Sequence, residues 1–149
     1  MAALYSVLEK DMREALRSGD QVKLSVLRMA ISDCKNLGIA KNVDSLDDVD
    51  TLKILQKHLK QHKESIAQFE KGARPDLVEK ESRELVIIES YLPVQMTEEE
   101  LSQVVKEAII QTGSSSKKDT GKVMKAVMAM VGGKADGKAV SAVVSRLLP

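Results

Sequence analysis

Apolar residues recur along this chain at spacings of three and four, the period of an amphipathic helix, and no segment alternates with the period of two that marks a strand. Tyr5, Leu8, Met12 and Leu16 predict a first helix over about 3–18, stopped by Gly19, with Asp20 capping the next. Leu24, Leu27, Ile31 and Cys34 predict a second over about 21–37, ended by Gly38. After a connection over 39–45, Ser45 and Asp48 resemble a capping pair. They open a long third helix, about 46–71, whose apolar stripe is Leu52, Leu55, Leu59, Ile66 and Phe69. Its other faces carry Lys53, Gln56, Lys57, Lys60, Gln61 and Lys63, the composition of a solvated surface. Gly72 ends it, and Pro75 suits the first turn of a fourth helix over about 75–91. Leu77, Val78, Leu85, Ile88 and Leu92 are its inward positions, and Pro93, which disfavours helix at Leu92, places a domain boundary there.

Beyond the boundary, Thr97 followed by Glu100 is a capping box, with Glu98 and Glu99 suited to the positive end of the helix dipole. A fifth helix on Leu101, Val104, Val105, Ala108 and Ile109 runs to about Gln111, before Gly113. Ser116 and Asp119 are candidate caps for a sixth helix over about 117–131, with Val123, Val127, Met130 and Val131 facing inward and Gly132-Gly133 stopping it. A seventh, about 136–148, buries Val140, Val143, Val144 and Leu147. The pattern specifies an all-α fold: an N-terminal four-helix domain (1–92) followed by a small C-terminal three-helix domain (97–149).

Composition narrows the chemistry. A chain of 149 residues is long enough for a real core. It has no Trp, and Tyr5, Phe69 and Tyr91 are its aromatics, so the core is aliphatic. The stacking platforms that bind single-stranded RNA are lacking, and any RNA contact is expected to be to backbone and shape. The single cysteine, Cys34, excludes an internal disulfide and sits at a core position. No apolar run reaches the roughly 18 residues of a membrane span, and the N-terminal residues lack a signal-peptide layout. These features predict a soluble cytoplasmic protein with no membrane partner.

The net charge is +1, but it is unevenly distributed. Residues 112–149 carry seven Lys/Arg against two Asp/Glu, whereas residues 1–111 carry sixteen against twenty. Five of the eight glycines also fall in the last third. Lys117, Lys118, Lys122 and Lys125 lie at the start and along one side of the sixth helix, and Lys134 and Lys138 flank the next turn. With Gly121, Gly133 and Gly137 permitting close approach, they form a candidate anion-binding face, most plausibly for RNA phosphates. Engagement of six phosphates gives a log–log salt slope of roughly −4 to −5.

Other motifs carry less. Gly132 and Gly137-Lys138 have P-loop spacing, but Ala139 stands where Ser/Thr holds Mg²⁺ and no strand precedes. His58 and His62 share a face of the third helix as two zinc ligands do. Without a third protein ligand in sequence they read as surface histidines, and no metal or other cofactor is expected. Asp119 and Asp136 fall at helix starts, and Ser114, Ser115 and Ser116 have no neighbouring base, so no catalytic constellation is apparent.

Ser115-Ser116-Lys117-Lys118-Asp119, Gly121-Lys122-Val123-Met124 and Lys134-Ala135-Asp136-Gly137 resemble the signature of the GatB/YqeY family. The resemblance extends upstream through Leu24-Ser25-Val26-Leu27-Arg28-Met29, Ser65-Ile66-Ala67-Gln68-Phe69, Asp76-Leu77-Val78 and Tyr91-Leu92-Pro93, and so covers essentially the whole chain. The family comprises small stand-alone proteins and the tail domain of the B subunit of the glutamyl/aspartyl-tRNA amidotransferase. In that enzyme the domain similar to residues 97–149 is a flexible tail touching the body of the tRNA, and the chemistry resides in other domains. The resemblance therefore implies a tRNA-binding accessory protein, working beside a tRNA-modifying or aminoacylating enzyme. Carbon–nitrogen ligase activity with glutamine as amide donor would arise only within a larger complex. Ala129, Met130 and Gly132 stand where the family commonly has Pro, Lys and Lys, and Lys125 where it has Gly. A helical protein-interaction adaptor, docking through the third helix or a methionine surface of Met124, Met128 and Met130, is the alternative.

Overall fold

The structure, a computed structural model, describes residues 3–149. Seven α-helices follow one another: α1 (Leu4–Ser18), α2 (Gln21–Lys41), α3 (Asp48–Lys71), α4 (Pro75–Glu89), α5 (Glu98–Thr112), α6 (Thr120–Val131) and α7 (Gly137–Leu147). A short 3-10 turn, Lys117–Asp119, precedes α6, and there is no strand among the described residues. The helices pack as two compact units that divide between Leu92 and Pro93.

In the first unit α1 pairs with α2 and α3 with α4, while α2 also touches α3 and α4. Each helix contributes a completely buried aliphatic side chain to one cluster: Leu8, Leu27, Leu55 and Ile88. Burying each stabilises the unit by about 1.5–3 kcal/mol relative to leaving it exposed. Cys34 joins them, and Tyr91 closes the end of the unit by donating its hydroxyl to Asp11 Oδ2 at 2.6 Å. Burial, and then the neighbouring carboxylate of Asp11, raise the Tyr91 phenol above its ordinary value.

Two helix boundaries differ from expectation. Helix α2 continues through Gly38, which is buried inside it, and ends at Asn42 in the left-handed conformation (φ 58°). A Cβ on Gly38 would lie 3.5 Å from the Val43 carbonyl oxygen, and the Val43 N–H bonds to the Gly38 carbonyl at 2.9 Å. The glycine thus admits the returning chain, and the asparagine makes the stop. At α3 the cap is Asp47, accepting from the Asp50 N–H at 2.8 Å, and not Ser45.

The α3 surface also differs. Lys53, Lys57 and Lys63 are exposed, but Gln56 and His58 are buried. These polar groups go inward because helices on both sides cover α3 and because they find partners there: His58 Nε2 lies 2.6 Å from Asp33 Oδ2.

The second unit has a valine core. Val105 from α5, Val123 and Val127 from α6, and Val140 and Val144 from α7 are all fully buried. Valine is a mediocre helix former, so packing and not propensity holds these three helices.

Candidate nucleic-acid interface

The basic face is assembled by caps and turns. Thr97 opens α5, accepting from the Glu100 N–H at 3.2 Å, and Gly113 closes it in the left-handed region (φ 64°). The expected start of α6 instead divides into the 3-10 turn and the helix proper. Asp119 does not cap α6; its carboxylate turns back to accept from the Ser115 N–H at 3.1 Å. The 3-10 turn is tied down by the Lys117 N–H, which donates to the Pro149 carbonyl at 3.1 Å. That bond also shows that α7 returns alongside α6, its end lying beside α6's beginning.

Between the two helices, Gly132 and Gly133 take positive φ of 49° and 88°. Gln95 Nε2 donates to the Gly133 carbonyl at 3.1 Å, and the Met96 N–H to the Lys134 carbonyl at 2.8 Å, fixing the turn. Asp136 caps α7 through the Ala139 N–H at 2.7 Å.

Lys117 and Lys118 thus lie in the 3-10 turn and Lys122 and Lys125 in α6, where a spacing of three puts the latter two on one side. Lys134 stands in the glycine turn and Lys138 at the second position of α7. These two lie at the opposite end of α6, a separation of about 18 Å for twelve residues at 1.5 Å each. The six lysines are therefore spread over about the length of α6 and not gathered in a compact cluster. All six are exposed, and none is ion-paired among the described residues. The seventh cation of residues 112–149, Arg146, is occupied: it bonds Glu98 at 2.7 Å and Ser102 at 2.9 Å. Asp119 and Asp136, the carboxylates nearest in sequence, are engaged with backbone N–H groups.

Gly121 and Gly137 sit in the first turns of α6 and α7, and a Cβ at either would meet nothing within 4 Å. Nothing among the described residues requires glycine there. The methionine surface is not formed as expected: Met124 and Met128 pack against the valine core, and Met130, expected inside, is exposed.

Neither histidine is the surface residue that the sequence predicts: His58 is buried and His62 largely so. His62 Nδ1 lies 2.6 Å from Glu81 Oε2 and 3.6 Å from Glu84 Oε2, all three side chains being largely buried between α3 and α4. Sequence spacing missed this grouping because its members come from different helices. The Glu81/Glu84 spacing of three on α4 was the available signal.

The fold is thus all-α, with exposed lysines on its C-terminal helices. The profile of the Yqey-like protein family matches residues 5–148, and the chain belongs to that family. Its relatives include "Altered inheritance of mitochondria protein 41, mitochondrial" of Kluyveromyces lactis, 36% identical over 104 residues, covering 68% of this chain and 56% of the relative. The protein of the same name from Saccharomyces cerevisiae (strain YJM789) is 34% identical over 121 residues, 78% of this chain and 65% of the relative. The chain thus spans less than two thirds of the length of these relatives.

The cytoplasmic location expected from the sequence is overturned by these relatives, which are named as mitochondrial proteins. The expectation rested on the missing signal-peptide layout and membrane span, and neither feature distinguishes the cytoplasm from an organelle interior. Among the described residues no helix is long and apolar enough to cross a membrane.

Proposed function

We propose that this protein is a tRNA-binding accessory protein in which residues 97–149 act as the reading domain and residues 1–92 as its scaffold. One observation carries the reading: six exposed lysines, without ion pairs among the described residues, run from the turn before α6 into the start of α7, while the other cation of residues 112–149, Arg146, is paired with Glu98. Charge spread over the length of α6, about 18 Å, suits a polyanionic backbone better than a single small anion. Lys117, Lys118, Lys122, Lys125, Lys134 and Lys138 contact phosphates, and the missing side chains at Gly121 and Gly137 let the backbone come close. The likeness to the amidotransferase tail supports tRNA as the polyanion and a tRNA-modifying or aminoacylating enzyme as the companion. The relatives' names support a mitochondrial setting for that work.

The test is a comparison of several purified tRNAs. In the Lys117→Ala, Lys118→Ala, Lys122→Ala variant all of them should bind at least about tenfold more weakly, and to a similar degree, because phosphate contacts carry no sequence information. Unchanged affinity would remove these lysines from the interface.

A further inference from the structure

His62 on α3 faces Glu81 and Glu84, one helical turn apart on α4, and the three offer ligand atoms that all lie within 4.8 Å of one another. They are largely buried in the wall of a cleft of about 530 Å³ bounded by α2, α3 and α4, which is also lined by Ser25, Gln68 and Lys80. The charge there is not balanced. Among the described residues neither glutamate pairs with a lysine or arginine, Lys80 included. Even a protonated His62 leaves a net negative charge where solvent screening is reduced, an arrangement that costs stability without a compensating cation.

We propose that His62, Glu81 and Glu84 form a binding site for one divalent transition-metal ion, Zn²⁺ by preference, which clamps α3 to α4. A neutral imidazole and two carboxylates together carry the charge of −2 that a dication neutralises. An imidazole nitrogen in the set selects zinc-like ions over Mg²⁺ or Ca²⁺. Donor atoms in a tetrahedral zinc shell lie about 3.3 Å apart, so small torsional shifts of the glutamates close the site. Three protein ligands leave the fourth position to water or a small oxygen ligand from the cleft. A neutral His62 that bonds Glu81 through Nδ1–H carries its one ring proton on Nε2 when Nδ1 takes the metal, so the ligand stays a neutral imidazole.

The experiment is equilibrium dialysis and calorimetry of the full chain with Zn²⁺, Mn²⁺ and Mg²⁺, alongside Glu84→Gln and His62→Gln. The expected result is one Zn²⁺ per chain and a raised melting temperature. Affinity should fall at least about tenfold in each variant, as loss of a direct ligand does at minimum. Far-UV circular dichroism and the metal-free melting temperature identify a variant that has unfolded. Glu84→Gln, nearly isosteric, is the deciding one. Absence of Zn²⁺ binding at 100-micromolar concentrations (about the weakest range relevant to a protein site), or equal binding by a folded Glu84→Gln, would overturn the proposal.

Discussion

At the scale of single residues, burial decides reactivity. Cys34 is 1% exposed, and burial, then the charge of Asp33, push its thiol up to about 11. An unfolded thiol ionises near ~8.5, so the folded state favours the protonated form. The resulting stability is fully present below that pH and is lost as pH rises through 11. At pH 8 the native chain should react with an aromatic disulfide reagent roughly a hundredfold more slowly than the denatured chain, since the thiolate is the reacting species. Equal rates would show that Cys34 is open to solvent. The core position of this residue was legible from helical spacing alone. The surroundings of His58 and His62 were not, because Asp33, Glu81 and Glu84 reach them from other helices.

At the scale of elements, local chemistry was legible wherever a cap or an apolar stripe lies within a few residues. Thr97 and Asp136 cap α5 and α7 as their spacing predicts, and Gly19 and Gly113 end α1 and α5. The boundary of α2 was not legible, since the role of Gly38 depends on how Val43 returns against it. The start of α6 was misplaced because Asp119, a good capping residue by type, bonds the preceding loop instead. Gly121 offers a direct test at this scale. Its place in α6 is a weak choice by up to about 1 kcal/mol relative to alanine, and a Cβ there meets nothing within the chain. Gly121→Ala should therefore raise the melting temperature by a few degrees while weakening tRNA binding. A stabilised variant with undiminished affinity would show that no partner approaches this surface closely.

At the scale of the whole molecule, the aliphatic composition and the helical period made the all-α class legible, and the structure adds two cores, one of leucine and isoleucine and one of valine. Charge asymmetry pointed to the last third of the chain. The separation of Lys134 and Lys138 from Lys117, Lys118 and Lys122 follows from the length of α6, whereas the return of the chain end to Lys117 was not legible, because it depends on how α7 packs on α6. The sequence features behind the cytoplasmic expectation do not separate compartments, and the relatives that contradict it are named as mitochondrial. The measurement that bears most directly on the proposed function is the affinity of the intact protein for bulk tRNA across a salt series. Six phosphate contacts predict a log–log slope of roughly −4 to −5, falling by about 2 to 3 when Lys117, Lys118 and Lys122 become alanine. A flat slope, or absence of binding at low salt, would contradict the reading of α6 and its flanking turns as an RNA face.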